Sequence, residues 1–388
     1  MKSGNLLILQ SGKPSVVGNA VLYGMLSEAL NHEDMEEIYG AYNGFEGLLR
    51  ENFIDLADLS QKNAQLLLTT DGYVLGTESV ADFSSQDFNQ MIAVLAQKNI
   101  HYVGIVGDQK SLEWMRGLED VAKNNAYELQ VVAVPQSNCN ETPVTDHSLG
   151  YGSCLKFLNA YTTALERSLK THHIPVGICE IEGGNNGWLV AGSMLHHACK
   201  NPESAPYMVC LPEQPFNEAS FLEVLKQKLE KYGHVCVVTH SQLVNEEGTA
   251  FDLADYPNMG AYLYDLAQRE LGLNPYLTFC DLNVQPFSHF ISKTDSNEAV
   301  LCGRKAIQLM AEDAATDKVV VLTRKENATE ISCLAAQELS SGMKFLPTDW
   351  INEKNMEMRY AFVKYVMPLL NGEMAVSYEK GLPQSAQL

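Results

Sequence analysis

The sequence has little positive charge. Its 388 residues include 27 lysines and arginines against 48 aspartates and glutamates, which gives a formal net charge of −21. Proteins that bind nucleic acid cluster lysine and arginine to contact phosphates. The composition therefore argues against a nucleic-acid partner, although one small anion site in a local basic pocket is compatible with it.

The sequence also lacks long apolar runs and paired cysteines. No apolar run reaches the ~20 residues that a membrane helix needs, so we expect no membrane partner. The first run, Asn5 to Leu9, is too short for a signal peptide and predicts a strand. The nine cysteines are an odd number without a C-x-x-C pair, which favours a reduced, cytoplasmic compartment over a disulfide framework.

Short apolar runs alternate with longer amphipathic stretches along the chain. This alternation predicts an α/β protein with two Rossmann-like open parallel sheets and helices on both faces. Ligands bind at the carboxyl ends of strands in such sheets. The loops at the predicted carboxyl ends are 10–18, 104–111, 135–148 and 181–187. A single amphipathic helix is expected over 187–199, a solvated loop over 33–37, and a frayed tail over 377–388.

Several loops resemble motifs of the phosphofructokinase family, most of all its pyrophosphate-dependent bacterial members. Gly12-Lys13-Pro14 followed by Asn19-Ala20 resembles the first phosphate-facing loop of that family. The other similar segments, in order, are 43–48, 75–77, 145–153, 211–216, 292–299 and 347–369. Seven matches in the right order and spacing make a specific resemblance that runs from end to end.

The resemblance implies a reaction and a domain plan. The family transfers a phosphoryl group from ATP or pyrophosphate to fructose 6-phosphate in glycolysis, with Mg²⁺, in a cleft between two domains. Residues 1–149 with about 283–330 would bind the donor phosphate, and 150–282 with about 331–376 the sugar phosphate. Residues 377–388 would be a tail. A homo-oligomer is implied as well.

The resemblance also assigns site residues. It places Gly12, Lys13, Gly107, Asp108 and Lys110 in the loops for the phosphate donor, with Asp108 as a metal ligand if Mg²⁺ is used. It places Ser137, Glu182, Gly183, Gly184, Glu213 and Gln285 at the sugar. Cys139 stands where the family has its general base, an aspartate.

The chain departs from the family where charge matters most. Four positions that are cationic in the family are neutral here, namely Ser79, Gln136, Gly184 and Gln285. Glu182 replaces an apolar residue. Charge-assisted bonds from arginine to phosphate contribute roughly 1.5–3 kcal/mol each. Loss of a general base costs roughly 10²–10⁴-fold in rate. These losses predict a retained fold with an impaired or absent reaction.

Each candidate residue has a plainer interpretation. Cys139 is either a base or an inert thiol, and the lack of a flanking cation, with Gln136 and Glu141 on either side, favours the inert thiol. Asp108 is either a metal ligand or a turn or cap residue, and the loop match leaves both interpretations open. Glu213 is either a sugar ligand or a strand-end carboxylate, and the resemblance favours the sugar ligand.

Other polar residues are assigned to structure. Asp146 and His147 would contact sugar or belong to a helix-capping loop that holds the two domains together, and the second is favoured. The adjacent pairs His172-His173 and His196-His197 lack the i, i+4 spacing of a helical metal site and are predicted to be solvated. Trp188 is assigned to the core.

Three functions remain open on the sequence. The first is an inactive relative that acts as a binding, structural or regulatory protein, alone or with an active phosphofructokinase paralogue. The second is an active enzyme of altered donor or sugar specificity, with Lys13 and Lys110 supplying charge. The third is a sensor for a less phosphorylated metabolite.

Overall fold

The structure is a computed structural model that describes residues 3–199, 205–253, 256–281, 288–312, 317–325, 328–338 and 342–388. The strands are β1 (Gly4–Ser11), β2 (Met35–Ala41), β3 (Phe53–Asp55), β4 (Ile100–Gly107), β5 (Gln130–Ser137), β6 (Leu149–Gly150), β7 (Val176–Glu182), β8 (Tyr207–Cys210), β9 (Val235–His240), β10 (Tyr276–Asp281), β11 (Lys318–Lys325), β12 (Ala328–Ala335), β13 (Ile351–Asn352), β14 (Glu357–Met358), β15 (Tyr378–Glu379) and β16 (Leu382–Pro383). The helices are α1 (Gly18–Ala29), α2 (Gly44–Leu49), α3 (Gln61–Leu66), α4 (Ser85–Gln97), α5 (Gln109–Asn124), α6 (Tyr151–Thr171), α7 (Trp188–Ala191), α8 (Leu195–Ala198), α9 (Glu218–Tyr232), α10 (Met259–Leu271), α11 (Lys293–Ala311) and α12 (Tyr360–Val366).

The chain forms two compact units, each assembled from separate segments. Unit 1 comprises Met1–Ser153, Gln285–Met343 and Gly372–Leu388, and unit 2 comprises Cys154–Val284 and Lys344–Asn371. Each unit has its own sheet, and the predicted α/β class is confirmed, with antiparallel edge strands β3 and β12 in the otherwise parallel sheet of unit 1.

The sheet of unit 1 has the strand order β12-β11-β5-β4-β1-β2-β3, with β6 beside β5. β1 pairs in parallel with both β2 and β4, and the register brings Ser11 opposite Gly107. Every residue of β1 and β4 is buried, as expected for central strands covered on both faces. The carboxyl ends of these two strands therefore place the loops after Ser11 and Gly107 side by side.

Helices of unit 1 approach closely where glycines allow it. A Cβ added at Gly24 in α1 would lie 2.2 Å from the carbonyl oxygen of Val300 in α11, and one at Gly303 would lie 2.3 Å from that of Val21. Only glycine permits this backbone contact.

Among the described residues, no helix combines the length and the apolar character that crossing a membrane requires.

The sheet of unit 2 is parallel and has the order β10-β7-β9-β8. Val176 of β7 lies opposite Val235 of β9, and Tyr207 of β8 lies opposite Cys236, so the amino ends of these strands also adjoin. A core that includes Ile178, Val237 and Leu263 covers the sheet. The loop after β7 begins at its carboxyl end.

The prediction of a single helix over 187–199 is wrong. Two four-residue helices, α7 and α8, replace it, with a turn between them. Side chains of α6 take the turn's carbonyls, since Asn159 Nδ2 donates to Gly192 O at 2.7 Å and Thr162 Oγ1 donates to Ser193 O at 2.7 Å. These bonds compete with continuation of the helix.

Two other local expectations are also wrong. Residues 35–37 of the expected loop belong to β2, which buries Met35 and Ile38 and turns the acidic side chains between them to solvent. The tail is not frayed, because β15 and β16 form a hairpin. Beyond it, the buried Ala386 donates its N–H to Thr70 Oγ1 at 2.8 Å.

Candidate functional site

The first loop follows β1 in unit 1 and presents backbone N–H groups. Gly12 has φ +72°, a left-handed conformation that suits glycine. Its N–H donates to Glu78 Oε2 at 3.0 Å, and the N–H of Lys13 donates to Asp108 Oδ2 at 2.9 Å. Glu78 Oε1 also accepts from the N–H of Phe45 at 2.7 Å. Two carboxylates of the chain thus occupy the donors of this loop.

Asp108 follows β4 and begins α5 as its N-cap. Its Oδ1 accepts from the backbone of Lys110 at 3.0 Å and from both the N–H and the hydroxyl of Ser111 at 3.2 Å. Gly107 is required before it, because an added Cβ would meet Ser111 Oγ at 2.3 Å. A carboxylate surrounded by N–H and O–H donors faces partial positive charge. These donors orient the carboxylate of Asp108, and its role as a Mg²⁺ ligand stays a prediction.

Lys110 directs its ammonium group to the surface. Nζ lies 3.5 Å from Asp82 Oδ1, 3.4 Å from Glu113 Oε2 and 5.6 Å from the ring centre of Trp114. The positive charge of Lys110 is therefore already engaged by these two carboxylates and by the ring of Trp114. Lys13, in contrast, has an exposed side chain.

The loop after β5 holds Cys139 in an unfavourable place for a thiolate. Burial and the negative charge of Glu141 raise the pKa of this thiol to about 12, and Lys13 only partly offsets them. The N–H of Cys139 donates to Ser137 Oγ at 3.1 Å, and that hydroxyl donates to Glu141 Oε1 at 3.3 Å. The thiol remains protonated at neutral pH, which supports the inert interpretation.

The side chain of Gln136 lies beside the same loop and is fully buried. Its Oε1 accepts a hydrogen bond from Ser15 Oγ, whereas its Nε2 has no partner among the described residues. A neutral amide donates weakly where the family pattern has a cation.

In unit 2, the loop after β7 lies against Glu213. Gly183 and Gly184 adopt φ +155° and +70°, and Glu182 is exposed. Glu213 Oε1 accepts from the N–H of Gly187 at 2.8 Å and from that of Leu346 at 3.3 Å. Its Oε2 is buried without a partner among the described residues. Burial raises the pKa of Glu213, although these backbone bonds oppose the rise.

Two side chains that the sequence did not single out belong to this part of unit 2. The carbonyl of Lys344 accepts from Trp188 Nε1 at 2.9 Å, and its ammonium lies 5.1 Å from the ring centre of Trp188. His240 ends β9, is buried, and contacts Gly183 and Gly184. Burial lowers the pKa of His240, so its imidazole is neutral. The end of a buried strand is the signal that could have pointed to His240.

Comparison with known families decides what these loops are. The family described as Phosphofructokinase matches residues 5–310, which is more than half of the chain. The chain belongs to the phosphofructokinase family. The predicted resemblance is therefore confirmed, and the family's motifs can be compared with the observed geometry.

Relatives match the whole phosphofructokinase-like chain. A pyrophosphate–fructose 6-phosphate 1-phosphotransferase of Halomonas elongata is 26% identical over 100% of this chain and 97% of its own. One from Xanthomonas campestris is 28% identical, with the same coverage. The crystal structure of a pyrophosphate-dependent phosphofructokinase from Marinobacter aquaeolei has a TM-score of 0.87 at 25% identity and covers 100% of this chain and 96% of that one.

The structure locates most of the positions that the family resemblance assigned. Gly12, Lys13, Gly107 and Asp108 come together at the ends of β1 and β4, while the charge of Lys110 points to Asp82 and Glu113. Glu182, Gly183, Gly184 and Glu213 belong to unit 2. Gln285 lies outside the described residues. The roles of all these residues remain predictions.

The interpretation of Asp146 and His147 needs correction. Helix α6 begins at Tyr151, so Asp146 does not cap it. Asp146 Oδ2 instead accepts from His147 Nδ1 at 2.8 Å and from Arg324 Nε at 3.0 Å, and His147 Nε2 contacts Glu298 at 2.8 Å. All four residues belong to unit 1. Burial disfavours charge on His147, but its two carboxylate partners outweigh this effect and raise its pKa.

The pair His196-His197 is not solvated, contrary to expectation. The Nε2 atoms of the two rings lie 3.3 and 2.8 Å from Glu166 Oε2. His172 and His173 are exposed, as predicted. Sequence spacing could not reveal this cluster, because Glu166 is 30 residues before His196.

Proposed function

We propose that this phosphofructokinase-family chain has lost phosphoryl transfer and acts as a binding or regulatory protein. The observation that carries the proposal is the pair of carboxylates at the first loop. Glu78 and Asp108 accept the N–H groups of Gly12 and Lys13. Backbone N–H groups at such a loop are the donors that a phosphate needs.

Binding of a phosphate at this loop would be unfavourable for two reasons. It would have to displace carboxylates that already satisfy the donors, and it would be repelled by their charge. Two unit charges about 4 Å apart interact by roughly 1–4 kcal/mol at effective dielectric constants of 80 to 20. Neutral Ser79 and Gln136 offer no cation to offset this repulsion. The proposal therefore assigns no donor phosphate and no Mg²⁺ step to unit 1.

Unit 2 supports retention of a hydroxyl-bearing ligand. The buried Oε2 of Glu213 has no partner among the described residues. An unsatisfied buried polar group costs about 1–3 kcal/mol, and a sugar hydroxyl donated to it would recover that energy. We expect Glu213 to bind a sugar or sugar-like metabolite. In this proposal the chain works in the cytoplasm, as a homo-oligomer or with an active paralogue.

Turnover tests the loss of activity directly. Purified protein is assayed with fructose 6-phosphate, Mg²⁺ and either pyrophosphate or ATP. We expect rates at least about 10³-fold below the ~1–100 s⁻¹ typical of kinases. A rate within tenfold of that range would overturn the proposal.

Pyrophosphate binding tests the blocked loop. The double variant Glu78→Gln/Asp108→Asn keeps side-chain shape and removes two charges. We expect it to bind pyrophosphate at least tenfold more tightly than the wild type in calorimetry, since tenfold corresponds to about 1.4 kcal/mol. The control Glu33→Gln/Glu37→Gln makes the same change in net charge at exposed sites of unit 1 and should leave affinity unchanged. Equal effects of the two pairs would argue against a blocked loop.

The alternative is an active enzyme of altered specificity. The full-length match to pyrophosphate-dependent relatives favours it, as does the retained Glu213. The sulfofructose kinase of Alkalicoccus urumqiensis, 22% identical over 89% of this chain, is a relative with a differently named sugar substrate. A thermal-shift screen of sugars and sugar phosphates would identify the ligand. The shift should vanish in Glu213→Gln and persist in the exposed control Glu230→Gln.

A further inference from the structure

A group of histidines surrounds one buried carboxylate in unit 2. Glu166 of α6 has 5% of its surface exposed. Its Oε2 lies 2.8 Å from His197 Nε2 and 3.3 Å from His196 Nε2, and its Oε1 lies 3.0 Å from His234 Nε2. The ligand atoms of Glu166, His196 and His197 all lie within 4.8 Å of one another. Three ring nitrogens thus converge on one carboxyl group.

These spacings match the edges of a metal coordination sphere. Bonds from Zn²⁺ to imidazole and carboxylate are about 2.0–2.2 Å long, so neighbouring ligands of a tetrahedral site lie roughly 3.3 Å apart. The observed separations of 2.8–3.3 Å are close to that value. A small outward shift of the side chains would accommodate an ion. Imidazole with one carboxylate suits Zn²⁺, Ni²⁺, Co²⁺ and Cu²⁺.

The two contacts of His234 are compatible with a ligating nitrogen. Its Nδ1 lies 3.2 Å from the carbonyl oxygen of Tyr232, while its Nε2 faces Glu166. A neutral imidazole has one N–H and cannot donate to both acceptors. When Nδ1–H donates to the carbonyl, Nε2 faces Glu166 either as the second N–H of an imidazolium or as a lone pair directed at an ion bound between them. A ligating histidine whose other nitrogen donates to a carbonyl is common in metal sites.

The side chain of His196 contacts Glu166 through one ring nitrogen only. Its Nδ1 is buried and has no partner among the described residues, so Nε2 is the nitrogen committed to Glu166. Lys170 is the one further charged group contacting Glu166, and Nζ lies 2.6 Å from Oε1 with an exposed side chain. Burial disfavours charge on Glu166, but hydrogen bonds from the histidines and Lys170 outweigh it and hold its pKa well below the usual range. Both carboxylate oxygens of Glu166 therefore face nitrogen atoms.

The position of the cluster separates it from the sugar site. Glu166 precedes β7, His196 and His197 precede β8, and His234 directly precedes β9. Since these strands are parallel neighbours, the cluster lies at the amino end of the sheet of unit 2. Gly183, Gly184 and Glu213 follow the carboxyl ends of β7 and β8. A ligand at the cluster would act on the fold or its regulation, independently of the proposed function.

We propose that Glu166, His196, His197 and His234 form a binding site for a divalent transition-metal ion of the Zn²⁺ class. Glu166 and the His196-His197 pair supply the first three ligands. His234 Nε2 contacts the other carboxylate oxygen, outside this group of three, and would have to move toward the ion to become the fourth ligand. Lys170, which is exposed, can turn to solvent when the ion enters.

Cobalt titration tests the site. Full-length protein without a polyhistidine tag is stripped with a chelator and titrated with Co²⁺, and the visible absorption of the bound ion is recorded. We expect one equivalent to bind with the strong bands of a low-coordinate nitrogen–oxygen site, and Zn²⁺ to displace it. Weak bands that grow without saturation would mean that no such site exists.

Matched variants locate the binding. Glu166→Gln and His196→Gln/His197→Gln should each weaken Co²⁺ binding at least a hundredfold, since even residues outside the coordination sphere change affinity about 10–100-fold. The second pair of adjacent histidines provides the control. The double variant His172→Gln/His173→Asn changes two exposed histidines of the same unit. This control should bind as the wild type does.

A folding check keeps the test decisive. Circular dichroism must show that each variant is folded, and Zn²⁺ should raise the melting temperature of the wild type and the control but not of Glu166→Gln. His234→Gln gives a second, milder substitution if Glu166→Gln fails to fold. Stoichiometric binding that survives in the folded cluster variants would overturn the proposal.

Discussion

Glu78 in unit 1 and Glu166 in unit 2 are both carboxylates with three or more donors around them, yet they differ in what those donors can do. Glu78 accepts from the backbone N–H groups of Gly12 and Phe45 and from the hydroxyl of Thr77. Amide N–H groups have no lone pair on nitrogen to offer a metal. The ring nitrogens around Glu166 can either donate a proton or coordinate an ion.

Glu78 therefore belongs to a site whose donors are already bonded, which we call the closed site. The ring nitrogens around Glu166 can change partner, so we call that site adaptable. At Glu78 the loop and the carboxylate satisfy each other, and an incoming anion finds the N–H groups of Gly12 and Phe45 already bonded. At Glu166 the same residue type is held by groups that can exchange a proton for a cation. The character of a site therefore depends on its partners' chemistry as much as on the carboxylate.

The largest effect is expected from breaking the closed site. Glu78→Leu leaves the N–H groups of Gly12 and Phe45 without their acceptor, which should cost about 2–3 kcal/mol of local stability. Hydrogen exchange measured on peptides that cover 10–20 and 43–49 should be faster by a corresponding factor. Glu78→Gln, which keeps one acceptor oxygen, should give a smaller change. Unchanged exchange in Glu78→Leu would show that the bonds contribute nothing.

A third carboxylate sharpens the comparison, because its partner is another acid. Glu119 in α5 is buried, and burial together with Asp317 raises its pKa to about 8 from the model-peptide value of 4.5. The folded state therefore holds a proton that the unfolded state releases near pH 4.5. This stabilisation is complete below pH 4.5 and is lost as the pH rises through about 8.

We expect the wild type to lose about 1–3 kcal/mol of unfolding free energy between pH 5 and 8 relative to Glu119→Gln, since one unit of pKa shift is about 1.4 kcal/mol. Urea unfolding at both pH values measures it. Asp120→Asn, an exposed neighbour on α5, is the control and should follow the wild type. Parallel pH curves for wild type and Glu119→Gln would contradict the prediction.

The smallest effect is expected at Lys110. Its ammonium faces Asp82 and Glu113, so Lys110→Gln should leave both the unfolding midpoint and pyrophosphate affinity unchanged. Lys62→Gln, also exposed in unit 1, controls for net charge. A selective loss of pyrophosphate binding in Lys110→Gln would support the active-enzyme alternative, in which this lysine supplies charge to the donor.

The sequence predicted those features that depend on local patterns. Apolar runs located most strands, and the adjacency of parallel strand ends brought Gly12 and Asp108 together as expected. Two predictions failed because distant partners decide the structure. Asn159 and Thr162 divide the 187–199 helix, and Thr70 fixes the tail through Ala386.

The site was predicted less well than the fold for the same reason. Glu78 is not among the residues assigned to the site from sequence, although its carboxylate binds Gly12 across 66 residues of sequence. The proposed metal site joins Glu166 to His234 across 68 residues. It lies at the amino ends of strands, whereas the sequence predicted ligand sites only at the carboxyl ends. Pairing of β7 with β9 was the information needed, and sequence alone did not supply it.

The three-segment construction of unit 1 has a consequence for biosynthesis. Strand β11 pairs with β5, and Ala386 binds Thr70, yet unit 2 is translated between these partners. A nascent chain on the ribosome must therefore hold an unfinished sheet edge at β5 while more than a hundred further residues emerge. Such an edge invites pairing with other chains, so chaperone protection during translation should matter more to unit 1 than to unit 2.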